Sequence, residues 1–259
     1  MMNFFRRKTG KALVAGVLVT LTLALFYKSN YVVPVLMYHQ VDYGPPGSGV
    51  HVTPENFERQ MEFLKVHGYH VVPLEQVFLS MKEGRPLPLK SVAITFDDGF
   101  LDNIKYAFPV LKKMNFPATV FMITRNINTE QWLSEEDLRI LHEGGISIGS
   151  HTVSHAFLPD VGQDVAAAEI SESKKRLEAI LGAPVELFSY PAGGVTWHAR
   201  SLVEKEGYLG AVTTNYGKRN NDPYLVRRIK VSNSSGNLFN FWIKTSGLYH
   251  LGKKRITPR

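Results

Sequence analysis

Short apolar segments alternate with amphipathic helical segments along most of this 259-residue chain, and this alternation constrains the fold more than any other feature. Segments rich in β-branched and aromatic residues that stop at Gly, Pro or a charged residue are typical of buried strands. The strand candidates are 31–41, 69–72, 91–96, 116–123, 146–149, 187–190, 210–214 and 225–231. Because helical segments separate most of them, the sequence predicts parallel strands in βα units.

The same pattern bears on how the sheet closes. No glycine-rich dinucleotide-binding fingerprint follows a predicted strand, so a barrel is favoured over a doubly wound sheet. The length suits one α/β domain and requires no second one. We therefore expect a single domain over 31–259, preceded by a separate segment over 1–30.

Residues 1–30 have the pattern of an export signal. A basic stretch over 6–11 precedes residues 12–27, which carry no charge. This run is short for a membrane span of ~20 residues but suits a signal core or a short anchor. Bulky residues at 25–27 offer no clear cleavage site, so an uncleaved membrane anchor with the body of the chain outside is slightly favoured. A cleaved signal, which would give a secreted protein, stays open.

Composition narrows the chemistry and the partners. The absence of cysteine excludes disulfides, thiolate nucleophiles and cysteine-based zinc sites, so any metal must rest on histidine and carboxylate. The formal net charge is +7, but part of the excess lies at the termini, in Arg6, Arg7, Lys8, Lys11, Lys253, Lys254, Arg255 and Arg259. We expect no nucleic acid partner, since an anionic membrane leaflet or envelope polymer would explain the same charges.

Polar residues that can carry chemistry stand at the ends of three predicted strands. Asp97 and Asp98 follow one strand, His151 and His155 follow another, and Tyr190 ends a third. The carboxyl ends of parallel barrel strands converge on one face, so these residues can form one site. Either motif alone would also suit a helix-capping aspartate or a structural histidine. Together, two histidines four residues apart on a helical turn and one aspartate favour a divalent ion with a position open for water.

At this point the sequence resembles the polysaccharide deacetylase family, carbohydrate esterase family 4, over about 33–231. The motifs that carry the resemblance are Thr95-Phe96-Asp97-Asp98-Gly99, Ser150-His151-Thr152-Val153-Ser154-His155 and Tyr190-Pro191-Ala192-Gly193. The family implies a distorted, incomplete (β/α) barrel that uses a divalent metal to remove acetyl groups from N-acetylated sugars, or O-acetyl groups in some members. By that resemblance Asp97 is the general base, and Asp98, His151 and His155 hold the metal. We expect the backbone N–H of Tyr190 to stabilise the oxyanion.

One departure from the commoner family pattern concerns an arginine. The family usually has arginine three residues before the motif proline, where this chain has Phe188. Another group must therefore orient the base and hold it ionised, and Arg228 in the last predicted strand is the candidate. The adjacent Arg227 should face the opposite way if that strand is regular. The alternative is that both are surface charges on an edge strand.

A second departure concerns the general acid. In the family, a late strand ending in Leu-x-x-His supplies the histidine, but the C-terminal segment around His250 is a poor strand. The first strand instead ends in Leu36-Met37-Tyr38-His39, so His39 is expected to be the acid. This order resembles the circularly permuted branch that includes deacetylases of extracellular poly-N-acetylglucosamine. A structural histidine in the core is the alternative for His39.

These interpretations lead to one expected function. It is the metal-dependent removal of acetyl groups from an acetylated amino-sugar polysaccharide such as peptidoglycan, poly-N-acetylglucosamine or a chitin-like polymer. Zinc is the expected ion, and cobalt, nickel or iron would also suit these ligands. An O-acetyl polysaccharide esterase, another metallohydrolase, and a non-catalytic glycan-binding protein are the alternatives.

Overall fold

A computed structural model describes residues 2–44, 49–214 and 221–252, without the side chains of 2–12 and 14. The helices are α1 (Met2–Asn30), α2 (Pro54–Val66), α3 (Leu74–Glu83), α4 (Phe108–Met114), α5 (Glu135–Glu143), α6 (Gln163–Leu181), α7 (Trp197–Lys205) and α8 (Leu238–Thr245). The strands are β1 (Val35–Tyr38), β2 (Gln40–Val41), β3 (His51–Val52), β4 (His70–Val71), β5 (Ser91–Phe96), β6 (Ala118–Met122), β7 (Ile146–Ser150), β8 (Leu187–Ser189), β9 (Gly210–Thr213), β10 (Val226–Arg227) and β11 (Ile229–Lys230).

The main sheet is parallel and runs in the order β10-β9-β8-β7-β6-β5-β1-β11, with β4 paired to the start of β5. Its two end strands, β10 and β11, are separated in the chain only by Arg228. The sheet therefore curls into a nearly closed barrel with one unsealed seam, surrounded by helices. This confirms the predicted α/β class and the incomplete barrel of parallel strands.

Side chains along the strands alternate between two buried clusters, as the pleat of a strand requires. One cluster joins inward-facing residues of neighbouring strands, including Val35, Ala93, Phe121, Leu187 and Val212. The other packs the opposite strand face against the helices, and it includes Leu36, Ile94, Val120, Phe188 and Ala211. On β5 this alternation places Thr95 and Asp97 on the same side as Ala93, toward the barrel interior.

The sequence pattern Thr53-Pro54-Glu55 predicts a helix start, and Ser134-Glu135-Glu136-Asp137 predicts a capping box; both are confirmed. The side chain of Thr53 caps α2, and Pro54 occupies the first turn, where a missing N–H costs nothing. Ser134 and Asp137 form a reciprocal capping box at the start of α5. These caps satisfy backbone N–H groups that the first turn of each helix leaves without a partner inside the helix.

Two predicted elements differ from the structure. The spacing of Ile104, Phe108 and Leu111 predicts a helix over 102–114, but the observed segment begins with a π-helix, Asn103–Ala107, before α4. The strand expected over 225–231 is interrupted at Arg228, because its first half pairs with β9 and its second half with β1. Because the two halves of this segment pair with strands on opposite sides of the seam, they cannot form one continuous strand.

Residues Met2–Asn30 form one helix, and its end is tied to the barrel by a bond from the Tyr27 hydroxyl to the Ser246 carbonyl, 3.1 Å long. None of the helices in the described part of the chain combines the length and the hydropathy that crossing a membrane requires. The predicted export signal or anchor over 12–27 stays a prediction. The basic side chains over 6–11 and the C-terminal charges from 253 onward lie outside the described residues.

Candidate active site

Asp97, just after β5, is buried inside the barrel and is held by Arg228. One terminal nitrogen of Arg228 donates to Oδ1 of Asp97 and the other to Oδ2, both at 2.6 Å. Arg228 also donates to Thr95 Oγ1 at 3.1 Å, and Phe121 lies under the guanidinium with its ring centre at 5.5 Å. This two-pronged geometry is the strong form of an arginine–carboxylate bond.

The electrostatics of Asp97 follow from this contact. Burial opposes ionisation of the carboxyl, but the charge and hydrogen bonds of Arg228, with smaller contributions from His151 and His39, outweigh burial. The net effect lowers the pKa of Asp97 below its ordinary value. The carboxylate is therefore available as a proton acceptor throughout the neutral range.

Asp98, His151 and His155 bring three ligand atoms to one point beside Asp97. These atoms all lie within 4.8 Å of one another. Oδ1 of Asp98 is 3.5 Å from Nε2 of His151 and 3.6 Å from Nε2 of His155. Nε2 of His151 is also 3.9 Å from Oδ2 of Asp97, so the cluster and the buried carboxylate adjoin.

The backbone between His151 and His155 is not helical, although the sequence predicts a helical turn there. Residues 152–154 form a non-helical turn, and Thr152 and His155 adopt left-handed φ values of 66° and 60°. Left-handed backbone costs roughly 1–2 kcal/mol per non-glycine residue. The expectation of a helical turn was therefore wrong, and the surrounding structure must stabilise the strained one.

The chemistry of these donors fits a divalent ion. Nδ1 of His151 lies 2.8 Å from the carbonyl oxygen of Ser189, which can only accept, so Nδ1 carries the proton. The unprotonated Nε2 then faces Asp98 and His155. A histidine oriented in this way by a backbone carbonyl is typical of metal ligands. The cluster could hold a metal ion, and its ligands would be one carboxylate and two imidazoles.

Burial and the nearby charge of Asp97 shift the pKa values of Asp98, His151 and His155 in the metal-free protein. Burial, and then the neighbouring charge of Asp97, raise the pKa of Asp98 to about 7. Burial lowers the pKa of His151 to about 4 and that of His155 below its ordinary value. Neutral imidazoles are the form that binds a metal, and a bound cation would favour ionised Asp98.

Gly99 makes the sharp exit from β5 possible. Its φ is +77°, and a Cβ placed there would lie 2.1 Å from the sulfur of Met122. Asp98 itself has a φ of 72°. The chain therefore turns away at once after the two carboxylates and leaves them at the mouth of the barrel.

His39 directly follows β1, beside the strand that carries Asp97. The backbone N–H of Asp97 donates to the carbonyl of Tyr38 at 2.9 Å, and the carbonyl of His39 accepts from Asn103 at 2.9 Å. Within the residues that the structure describes, the buried Nδ1 of His39 has no hydrogen-bond partner. Burial lowers the pKa of His39, against an opposing contribution from the charge of Asp97.

His250 lies elsewhere. It lines a cavity of about 450 Å³ together with Tyr31, Val33 and Leu87, residues that precede β1 and β5. This cavity is at the amino ends of the strands, whereas Asp97 and the histidine cluster are at the carboxyl ends. Of the two Leu-x-x-His candidates, the structure brings only His39 to the site.

The backbone N–H of Tyr190 does not serve as the predicted oxyanion donor in this structure. It donates to the carbonyl of Val212 at 3.0 Å and thereby extends the pairing of β8 with β9. The ring of Tyr190 is fully buried against Phe188 rather than open to the site. The prediction overlooked that a residue just past a strand end can still be bonded within the sheet.

Ser189 lies at a strand end that the sequence places at the site, but sequence reasoning assigned it no role. Its hydroxyl accepts from Arg228 at 2.8 Å and lies 3.4 Å from Oδ1 of Asp97, while its carbonyl orients His151. A polar residue inside the apolar run 187–190 was the available signal. Because Phe188 faces the helices, the inward position beside Asp97 belongs to Ser189, and the arginine comes from the seam instead.

A nearly closed parallel barrel that carries a buried ionised carboxylate beside an Asp-His-His cluster at its carboxyl end defines a hydrolase of the α/β-barrel type. Residues 84–211 match the family model described as polysaccharide deacetylase. The chain is 34% identical to the protein YxkH of Bacillus subtilis, over 82% of this chain and 76% of that protein. The chain belongs to the polysaccharide deacetylase family.

Two further relatives bear on this assignment. The poly-β-1,6-N-acetyl-D-glucosamine N-deacetylase of Staphylococcus epidermidis is 32% identical, over 71% of this chain and 69% of that protein. The structure of the Streptococcus pyogenes deacetylase PplD in complex with acetate superposes with a TM-score of 0.75 at 27% identity, over 82% of this chain and 98% of that one. Relatives in sequence and in structure thus both indicate a deacetylase.

Proposed function

We propose that this protein is a metal-dependent hydrolase that removes acetyl groups from N-acetylated amino sugars of a cell-envelope or extracellular polysaccharide. The observation that carries the proposal is the position of ionised Asp97, clamped by Arg228, beside the convergent ligand atoms of Asp98, His151 and His155. The relative from Staphylococcus epidermidis supports an N-acetylglucosamine polymer as substrate. The acetate bound to PplD supports release of that product.

Asp98, His151 and His155 would hold the ion, with zinc as the expected metal and cobalt, nickel or iron as alternatives. When bound, such an ion supplies Lewis acidity to the acetyl carbonyl and to water. Asp97 acts as general base and takes a proton from the water that attacks the carbonyl carbon. Arg228 and Ser189 keep Asp97 ionised and oriented. His39 donates a proton to the sugar nitrogen as the carbon–nitrogen bond breaks, which releases acetate and a free amine.

The substrate is tested by measuring acetate release from poly-β-1,6-N-acetylglucosamine, peptidoglycan, chitin oligomers and O-acetylated xylan. We expect the highest turnover on an N-acetylated amino-sugar polymer, and loss of activity with a chelator that is restored by added Zn²⁺. Asp97→Asn serves as the inactive control with an intact ligand set. Release from O-acetylated xylan alone would identify an O-acetyl esterase, and no release from any polymer would favour a glycan-binding protein.

The ligand assignment has its own test. Metal content of purified protein should be close to one ion per chain in the wild type and in Asp97→Asn. It should be lost in the double variant His151→Ala/His155→Ala. Stoichiometric metal in that double variant would show that the ion binds elsewhere and would end this assignment.

We also propose that residues 12–27 carry the catalytic domain out of the cytosol, as an anchor or as a cleaved signal. Uncharged sequence after a basic flank supports this, and so do the exposed side chains of Leu18, Leu23 and Leu25 on α1. An anionic leaflet or envelope polymer would then contact the basic termini. Cell fractionation decides the location: full-length chain in the cytosol would end the proposal, and a shortened chain in the medium would identify a cleaved signal.

A further inference from the structure

The turn that carries the two candidate metal-binding histidines is stabilised by a residue far from it in sequence. The side chain of Glu169, in the second turn of α6, is almost fully buried. Its Oε2 accepts from the backbone N–H groups of Val153 and Ser154, both at 2.8 Å. Its Oε1 accepts from the hydroxyl of Ser154 at 2.6 Å.

These three donors compensate the buried carboxylate. In the part of the chain that the structure describes, no Lys, Arg or His forms an ion pair with Glu169. A buried carboxylate without a cation must be satisfied by hydrogen bonds from the groups around it. The side-chain hydrogen bonds of Glu169 therefore connect α6 to the turn alone, and Glu169 does not belong to a surface network of ion pairs.

The two histidines differ in how they are held. His151 is fixed by its own bonds, from its N–H to the Met122 carbonyl at 3.0 Å and from Nδ1 to the Ser189 carbonyl. The ring of His155 makes no hydrogen bond to any residue that the structure describes, and its side chain is 42% exposed. The position of His155 thus depends on the backbone of the turn before it.

The backbone of that turn is held from two sides. The carbonyls of Thr152 and Val153 accept from the N–H groups of Thr124 and Arg125, at 3.2 and 2.9 Å. The N–H groups of Val153 and Ser154 are held by Glu169. Because Thr152 and His155 have left-handed backbone conformations, the turn needs both sets of bonds to stay in this shape.

We infer that Glu169 is a positioning residue for the metal site, which sets the position of His155 by accepting the two backbone N–H groups before it. This inference rests on the proposed metal-dependent function. Partners that orient metal ligands by bonding them directly typically contribute 10–100-fold to metal affinity, and we expect a partner that holds the backbone beside a ligand to act in the same direction. The carboxylate charge itself is not required, because one amide oxygen could accept both N–H groups and the amide nitrogen could donate to the Ser154 hydroxyl.

The test compares Zn²⁺ affinity of metal-stripped wild type, Glu169→Ala and Glu169→Gln by isothermal titration calorimetry. Glu172, one turn further along α6 and exposed, supplies the matched control Glu172→Ala. We expect about 10–100-fold weaker binding for Glu169→Ala, and values within about threefold of wild type for Glu169→Gln and Glu172→Ala. Absorption of the Co²⁺-loaded proteins should report an altered ligand geometry in Glu169→Ala alone.

A folded Glu169→Ala protein that binds Zn²⁺ as tightly as wild type would overturn the inference. So would weakening in Glu169→Gln equal to that in Glu169→Ala, because the bonds and not the charge are assigned the role. Should Glu169→Ala fail to fold, Glu169→Asp withdraws the acceptor oxygens by one methylene and must show the same loss for the inference to stand. If the wild type itself binds no Zn²⁺, the proposed metal-dependent function fails as well, which is a separate result.

Discussion

Arg228 and Asp97 stand 131 positions apart in the chain and meet inside the barrel through two parallel hydrogen bonds of 2.6 Å. Arg228 is fully buried and Asp97 nearly so. Breaking such a pair by removing one partner leaves an uncompensated buried charge and typically costs about 3–5 kcal/mol, a large fraction of the roughly 5–15 kcal/mol by which native proteins are stable. The contact therefore matters both for holding the barrel together and for the charge of the base.

Replacement of Arg228 by Lys should impair the base while keeping a positive charge nearby. A lysine ammonium cannot bond both carboxylate oxygens in the planar geometry that arginine allows. We expect kcat/KM to fall at least about tenfold, within the range for disturbed general base catalysis, and the acidic limb of its pH profile to move to higher pH. Arg227→Lys is the control. Equal pH profiles for Arg228→Lys and wild type would contradict the assigned role.

The same pair predicts how acid destabilises the protein. The pKa of Asp97 is lower in the folded state than its unfolded value of ~3.9, so its contribution to stability is fully present above that value. It is lost as the pH falls below about 4 toward the folded pKa. Urea unfolding of metal-free protein between pH 3 and 7 should show a steeper acid loss for wild type than for Asp97→Asn. Parallel curves for the two proteins would show that Asp97 does not contribute.

Substitution of His39 should separate proton donation from metal binding. We expect His39→Gln to lower turnover by about 10²–10⁴-fold on an N-acetylated substrate, with metal content unchanged. His250→Gln should have little effect, because His250 lies at the other end of the barrel. Because burial lowers the pKa of His39, the basic limb of the wild-type profile should lie below that of an exposed histidine. Loss of activity in His250→Gln with retention in His39→Gln would reverse the assignment.

Asp98→Asn should make the metal-free protein more stable near neutral pH and abolish metal binding. The pKa of Asp98 is raised to about 7 in the fold, so ionised Asp98 carries a penalty that develops as the pH rises from about 4 to about 7. At 1.36 kcal/mol per pKa unit the penalty reaches up to about 4 kcal/mol. The stability gain should be present at pH 8 and absent at pH 4. A loss of stability at pH 8 would show that Asp98 is stabilised by contacts other than a metal.

Gly99→Ala should destabilise the protein by more than its backbone conformation accounts for. The left-handed φ of +77° costs roughly 1–2 kcal/mol, and overpacking against Met122 adds about 1–3 kcal/mol. Gly207 has a φ of +79° and open space within 4 Å of the point where a Cβ would lie, so Gly207→Ala isolates the backbone contribution. Urea unfolding should show a larger loss for Gly99→Ala than for Gly207→Ala. Equal losses would mean that Met122 moves aside freely.

The strands and the polar residues at their ends were predictable because each depends on local pattern. The apolar run 91–96 is strand β5 throughout, and the capping box at Ser134 lies where the sequence places it. The choice of Arg228 as partner of Asp97 followed from the family resemblance, because the family usually has an arginine where this chain has Phe188. The strands and caps needed only local pattern, whereas Arg228 needed the resemblance and the chemistry of a buried charge.

The features that sequence reasoning missed depend on backbone atoms and on long-range closure. The carbonyl of Ser189 orients His151, and the N–H of Tyr190 donates to the carbonyl of Val212. Every residue has a backbone carbonyl, so the residue types alone do not predict which backbone groups form these bonds. The turn before His155 is held by hydrogen bonds to Glu169 on α6 and to the backbone of Thr124 and Arg125. The break at Arg228 arises only because the barrel closes there, which no single segment encodes.

The position of Arg228 at the seam links the pairing of the two end strands to the completion of the candidate base. The residue that completes the base also sits between the two short strands that bring the ends of the sheet together. All three candidate ligands precede residue 228 in the chain, but Asp97 gains the two hydrogen bonds that hold it ionised only when Arg228 is in place. The candidate base is therefore complete only in a chain whose two end strands have both paired.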